Sequence, residues 1–400
     1  MMFWIKFVLR NVWRVKIRTF IHISALAGGT FMAVWFHNVA FGNYENMLKF
    51  GIRMGSGYVS IYPKEYFEKG KLNSWVRVSK VKGILNDDLI YKAFYRVNIP
   101  AIIRTQKGSQ PVMVLGLNFD NESDLPILKE NSFVKGGIPS SENGAIISKE
   151  LAENLGIDIG SAITIMYQDT SGNITGNVLV VEGIVKSGVD GNTIYANKDY
   201  LGFTENVHYV GIIPKSTRDI YALKKRLSKE VKGNYLVLTW QEAMPELYSA
   251  IILDYSGIVV MVVFMFIVIS FGTVNLGFMN VLERVKEFGL MRAVGFKGRD
   301  ILRIVMLEFL ILGVIGISLG LLLAIVVNYL TYKYGLDVSS LLGSSEIEYG
   351  GVALEAKIKS IWDWRGIVGY PLLLLLMSVL SGYLPAKWAS KVKVSEILRR

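Results

Sequence analysis

Residues 255–282 read YSGIVVMVVFMFIVISFGTVNLGFMNVL, 28 residues without a charge. At about 1.5 Å per residue a helix of that length exceeds the roughly 30 Å hydrocarbon core of a bilayer. Three further runs share the property. One lies between Arg18 and Glu45, one between Arg303 and Lys333 with only Glu308 inside it, and one between Arg365 and Lys387. The sequence therefore predicts a membrane α-helical fold with four transmembrane helices and an extracytoplasmic α/β domain inserted between the first and second. The expected divisions are a cytoplasmic amphipathic segment 1–18, a first span 19–42, an outer domain 43–250, a second span 251–282, a cytoplasmic loop 283–303, a third span 304–332, an outer loop 333–365, a fourth span 366–386 and a cytoplasmic tail 387–400.

Composition agrees with a mixed molecule. Apolar residues make up 52% and charged ones 19%, too greasy for an ordinary soluble protein and too polar for a bundle of helices alone. Ala25-Leu26-Ala27 has the form of a signal-peptidase site, but only about six residues separate it from Arg18, short for a signal core. An uncleaved anchor is the expectation.

Basic residues orient the spans. Segment 1–18 has five Lys/Arg and no acid, loop 283–303 has six, and tail 387–400 has five, whereas 333–365 has four against five acids. The positive-inside rule puts both termini and the 283–303 loop in the cytoplasm. Of the net +11, the cytoplasmic flanks carry +12 and residues 43–250 only +2. The excess sits where it meets anionic lipid, and little is left to build a nucleic-acid face. Lys6, Arg10, Arg14 and Arg18 recur every four residues opposite Trp4, Val8, Val12 and Val15, the pattern of an interfacial helix; snorkelling of flanking charges gives the same spacing.

The outer domain shows strand-like runs at 58–62, 101–105, 112–117, 162–167, 178–185, 209–213 and 235–238, helical patterns at 148–155 and 217–227, and a turn at 169–173. A separate lobe is expected over 51–135. Thr239-Trp240-Gln241-Glu242 has capping-box form, and a helix running from there to Met279 would be about 60 Å long, a stalk as well as a span, unless Pro245 restarts it. An ordinary linker helix is the alternative.

Little catalytic chemistry is available. With no cysteine there is no disulfide, thiolate site or Cys nucleophile, and His22, His37 and His208 stand far apart without zinc spacing. No phosphate-binding GxxxxGK[ST] and no GxSxG elbow occurs. Catalytic, cofactor-binding and metal residues are expected to be none. Glu308 is an intramembrane acid, a functional candidate by default, although its nearness to Arg303 also allows pairing at the interface. Gly316 and Gly320 form a GxxxG that permits close helix contact.

The 283–303 loop is short, charged and partly apolar. Glu283 with Glu287, and Lys286 with Leu290, stand four apart and predict a short amphipathic helix that Gly295 ends. The run ERVKEFGLMRAVGFKGRDILRIVMLE closely resembles the hallmark loop of FtsX-like ABC transporter permeases, an ER…E-(I/F)-G-L-(L/M)-R-A-(L/V)-G core followed by a basic tail and an acid in the next span. Glu283, Arg284, Glu287, Gly289, Leu290, Arg292, Ala293, Gly295 and Glu308 fit it. Leu384-Pro385-Ala386-Lys387-Trp388-Ala389-Ser390-Lys391 through Ile397-Leu398-Arg399 resembles the family's ending.

The resemblance implies a MacB/LolE-like architecture in which 283–303 is the coupling helix on a separate LolD-like ATPase subunit. ATP and Mg belong to that partner, and this chain holds no cofactor. It implies a second permease in a homo- or heterodimer, stalk helices that transmit nucleotide-driven closure, and a bacterial inner-membrane location with the large domain periplasmic. Lipoprotein-releasing permeases of the LolC/LolE type are the members most resembled. The short polar turn at 169–173, where LolC-type permeases carry a hook for a periplasmic carrier, favours the LolE type. Export of another substrate, as by MacB, and FtsX-like signalling to a cell-wall hydrolase are the alternatives. For a lipoprotein substrate drawn from the outer leaflet, the expected acyl-chain cavity comprises Phe31, Trp35, Val39 and Phe41 from the first span with Ile251, Ile258, Met261 and Met265 from the second, amid membrane lipids. Ordinary helix packing is the competing reading of each of these residues.

Overall fold

The computed structural model describes residues 16–105, 108–186, 191–342, 346–349, 352–355 and 357–391. The amphipathic pattern at Lys6, Arg10 and Arg14, with Trp4, Val8, Val12 and Val15, lies outside them, as does the tail with Ile397, Leu398 and Arg399. The chain folds as two units. A membrane unit comprises the residues up to Tyr44, Leu253–Val338 and those from Lys357 on, and an outer unit comprises Glu45–Ile252 with Ser339–Ala356.

The membrane unit is built on α1 (Lys16–Met54), α2 (Pro245–Glu283), the short α3 (Val285–Ala293), α4 (Gly298–Tyr334) and α5 (Trp364–Ser390). Four of these, all but α3, are long and apolar enough to cross a membrane. The GxxxG of α4 is used inside the chain. A Cβ on Gly316 would stand 2.9 Å from the Leu26 Cβ, and one on Gly320 would collide with the Ala27 carbonyl oxygen, so both glycines let α4 lie directly on the α1 backbone. Phe309 fills a similar gap between Gly277 of α2 and Gly382 of α5.

Polar groups cluster where α1, α4 and the start of α5 meet. His37 Nε2 lies 2.9 Å from Asp363, and the Tyr370 hydroxyl lies 3.1 Å from His37 Nδ1. Asp363 also N-caps α5 by accepting from the Arg365 N–H, while its own N–H donates to Asn38.

The helix expected from Thr239 to Met279 is interrupted. The capping box forms, with Glu242 accepting from the Thr239 N–H at 2.9 Å, but its helix covers only Trp240–Ala243. Met244, driven out of the helical region by the following proline (φ −129°, ψ 66°), breaks the chain direction, and Pro245 starts a second helix of 39 residues.

The outer unit contains β1 (Val59–Pro63), β2 (Val76–Arg77), β3 (Ile90–Thr105), β4 (Gly108–Leu117), β5 (Phe133–Gly136), β6 (Gly144–Ser148), β7 (Ala162–Gln168), β8 (Ile174–Val185), β9 (Thr193–Asn197), β10 (Asn206–Val207), β11 (Tyr209–Pro214) and β12 (Tyr235–Thr239). The long strand β3 serves two layers. Its first half pairs with β11, which continues through β1 to β12. Its second half pairs with β4 and with β7. From β4 the ladder passes through β9, β6 and β8 back to β7, closing a six-stranded barrel. Ile99, Ile103, Val114, Ile147, Ile165, Leu179 and Ile194 belong to the buried core that fills this unit. The separate lobe expected at 51–135 is therefore not the division observed: residues from Val97 onward pair into the barrel, because a 16-residue strand is long enough to bridge both layers. The expected helix at 148–155 is present, capped by Ser148 and stopped at Gly156 with φ 62°.

His208 sits sandwiched between Trp75 and Tyr66, with ring centroids 4.4 and 4.5 Å apart. Its Nδ1 accepts from the Asn98 N–H at 3.0 Å, and Nε2 faces the Leu72 carbonyl at 2.9 Å. Burial lowers its pKa from 6.5 to about 4, against the pull of that carbonyl. Because the folded value lies below the unfolded one, protonation favours the unfolded chain. The stabilisation is complete above pH 6.5 and is lost as pH falls towards 4, a change of up to about 3 kcal/mol. Thermal unfolding followed by tyrosine and tryptophan fluorescence should show a falling midpoint across that window, and His208→Gln should flatten it. Equal slopes in both proteins would refute the assignment.

Candidate functional site

The 283–303 loop folds onto the ends of the membrane helices. Glu283 closes α2 and its carboxylate receives both Nη groups of Arg18 at the start of α1. Arg284 breaks the helix for one residue and turns its guanidinium inward. Nη1 donates to both Glu308 oxygens at 2.8 Å, and Nε donates to Glu287 at 3.2 Å. Burial opposes the Arg284 charge, but Glu308 and Glu287 outweigh it and raise its pKa. Glu308 is thus an ion-pair partner of the loop, 9% exposed and about 15 Å along α4 from Gly298.

Phe288 is the second anchor. It is fully buried among Val281, Ile301, Val305, Phe309, Ala386 and Ala389, with the Arg284 guanidinium over its ring at 5.1 Å. The small side chains of Ala386 and Ala389 make room for it, giving a packing reason for the Pro-Ala-x-x-Ala pattern at the end of α5. Sequence reasoning did not single out Phe288; an aromatic between Glu287 and Gly289 in a charged loop was the available signal.

The C-terminus of α3 is a Schellman motif. The Phe296 N–H donates to the Met291 carbonyl at 3.0 Å and the Gly295 N–H to Arg292 at 3.1 Å. Gly295 has φ 104°, a conformation that explains the glycine. Gly298 then brings the chain against the Ser390 carbonyl, where a Cβ would lie 2.7 Å away and 3.3 Å from Arg292 Nη1. Gly289 is buried, whereas Lys286, Leu290, Ala293 and Val294 are exposed. Leu290 is 69% and Val294 75% exposed. Four residues apart, they form one apolar face rimmed by Lys286 and Lys297. The short helix, anchored by Arg284 and Phe288, thus turns an apolar face outward.

The eight acyl-cavity candidates do not share one surface. Trp35 stacks on Phe31 at 5.6 Å and donates to Thr331 of α4 at 3.1 Å, so it faces α4 and not α2. Phe31 packs near Ala324 and Ile367. Ile258 and Met265 pack against a cluster of Ala33, Ile317 and Leu374. Phe41 does meet α2, at Tyr255, with centroids 5.7 Å apart. Val39 is half-buried, Met261 is exposed, and Ile251 is buried in the outer unit. Among the described residues no group of three His, Asp or Glu side chains is placed to hold a metal ion.

Residues 259–394 match the FtsX-like permease C-terminal family. That segment, about a third of the chain, is similar to FtsX-like permeases. The chain's relatives are ABC transporter permeases of the MacB and LolC type. It is 22% identical over 313 residues to the lipoprotein-releasing system transmembrane protein LolC of Xylella fastidiosa, covering 72% of this chain and 73% of that one. It is 23% identical to the uncharacterized ABC transporter permease YknZ of Bacillus subtilis, over 99% of this chain and 98% of that one. An uncharacterized ABC transporter permease of Methanocaldococcus jannaschii is 27% identical, and the match spans 52% of this chain and about half, 51%, of that relative. The extracellular domain of YknZ from Gram-positive bacteria aligns with 45% of this chain and 99% of its own at 16% identity and a TM-score of 0.34. The lipoprotein-releasing relatives found are LolC proteins, so the LolE-type expectation rests on the short 169–173 turn alone.

Proposed function

We propose that this chain is the membrane subunit of an ATP-driven machine in which α3 docks on a separate, LolD-like ATPase and a second permease completes the complex. The observation that carries the reading is the anchored α3, fixed by Arg284, Glu308 and Phe288 with Leu290 and Val294 turned outward. Basic residues around the loop favour a cytoplasmic position for it and both termini, and a periplasmic position for the outer unit at a bacterial inner membrane. ATP and Mg act on the partner.

The substrate reading is extraction of lipoproteins from the outer leaflet, with hand-over to a soluble periplasmic carrier where one is encoded nearby. Each acyl CH₂ withdrawn from lipid costs about 0.8 kcal/mol unless it meets another apolar surface, so such a machine needs both ATP and an apolar path. The LolC relatives support this. A second reading is export of another substrate, favoured by short matches to a macrolide export and a pyoverdine export permease, or FtsX-like signalling. The test is purification of the full chain with its ATPase from membranes, then mass spectrometry of bound acyl species and an ATP-dependent lipoprotein-release assay. Bound triacylated peptide and ATP-dependent release are expected. Coupled ATP turnover with neither would replace extraction by the second reading.

A further inference from the structure

The last ten residues of α1, from Glu45 to Met54, belong to the outer unit, and their C-terminus is held in an unusual way. A helix end leaves carbonyls without partners and carries partial negative charge. Here Arg96 of β3 answers them. Its Nη2 donates to the Arg53 carbonyl at 2.6 Å, and Nη1 donates to the Met54 carbonyl and to Gly55 at 2.9 Å. The remaining donors, Nε and the second Nη2 hydrogen, go to Glu122 at 2.9 and 2.6 Å. All five guanidinium N–H groups are thereby used. Arg96 is fully buried, Glu122 is 2% exposed, and the Phe94 ring covers the guanidinium at 4.1 Å.

The same helix end receives the start of α2. A Cβ on Gly51 would stand 2.5 Å from Leu247, and one on Gly55 would stand 2.6 Å from the Met244 sulfur. The two chain segments entering the outer unit are therefore packed together, and Arg96 fastens the pair to β3, the strand shared by the barrel and the second layer, beside Met54 and Phe50 packed with Leu117 and Tyr195 and Arg53 paired with Asp124.

A buried ion pair is a poor means of gaining stability, since apolar residues of similar volume commonly do as well or better. Three consecutive carbonyls gripped by one planar fork specify position and direction instead. We propose that Arg96, oriented by Glu122, is the positioning residue that fastens the end of α1 to the outer sheet and delivers movement of that helix to β3. The inference rests on the ATP-driven reading above and identifies the joint through which it works.

The test uses the full chain in lipid nanodiscs with its ATPase. Hydrogen exchange should show amides 51–57 as slow as those of β3. Arg96→Gln should speed them about 100-fold or more while leaving β6 and β9 nearly unchanged, and Glu122→Gln, which keeps an acceptor, should act about tenfold less. Should Arg96→Gln fail to fold, Glu122→Gln carries the same contrast. The chain has no cysteine, so a dye on Ser171→Cys reports the distance of the barrel from labelled lipid. In the variant, ATP turnover should stay at the wild-type rate while the ATP-dependent dye displacement falls about tenfold, the behaviour of a disconnected lever. Uniform acceleration of every outer-unit amide would reduce Arg96 to a structural brace. Undiminished displacement with a frayed α1 end would overturn the joint alone. A wild-type complex that turns over ATP without displacement would overturn the coupling reading, and the joint with it.

Discussion

Replacing Leu290 and Val294 together with aspartate should abolish capture of the ATPase while leaving the permease folded. Both side chains are more than two-thirds exposed, so the change removes no core contact, and surface changes of this kind usually move stability by less than about 0.5 kcal/mol. At a docking interface the same two positions would bring carboxylates into an apolar contact. Loss of two central apolar residues and burial of two charges should cost about 3 to 4 kcal/mol, or more than about 100-fold in affinity. The measurement is co-purification and titration of the ATPase onto nanodisc-embedded permease. Lys286→Ala, at the rim, should change affinity only a few fold. Binding of the ATPase to the double variant at wild-type affinity would remove α3 as the docking element.

The membrane unit was legible because its signal is the length of uncharged runs, and hydrocarbon leaves a chain few structural choices. The α3 helix was legible from spacing, and its stop from Gly295. The outer unit was only partly legible. The strands at 59–63, 162–168 and 209–214 stand out by composition, but β3 was seen only in its last five residues. Its first half, Ile90–Val97, carries Lys92 and Arg96 among its apolar residues and reads as a surface segment. Arg96 shares the parity of buried Phe94, so alternation held a clue; its partners, three backbone carbonyls and Glu122, leave no trace in spacing. The α1–α4 contact shows the same limit from the other side. Gly316 and Gly320 announce a close helix contact, yet pattern alone does not say whether the partner is a second chain or, as here, α1 of the same chain. For the acyl-cavity candidates, apolar character was common to every face of the spans, so residue type carried no information on which way Trp35 would point.

Separating Arg284 from Glu308 should do more damage than removing both. Their side chains are 17% and 11% exposed, and each carboxylate oxygen lies 2.8 Å from Nη1. Taking away one member removes the bidentate partner of a buried charge, at a cost of about 3 to 5 kcal/mol. The two single changes are not equivalent. Glu308→Ala strands a guanidinium that cannot lose its proton, with Glu287 alone at 3.2 Å to answer it. Arg284→Met leaves a carboxyl group, which unlike a guanidinium can take up a proton and become neutral, so it should be the milder of the two. Arg284→Met with Glu308→Leu replaces the pair by apolar volume beside Phe288, and should unfold near the wild-type midpoint. The expected order of unfolding midpoints for the full chain in detergent is therefore wild type close to the double variant, then Arg284→Met, then Glu308→Ala. A double variant as unstable as Glu308→Ala would show that the two residues act separately. The order also bears on coupling: if the pair fixes the direction in which α3 leaves α2, the stable double variant should still lose ATP-dependent activity.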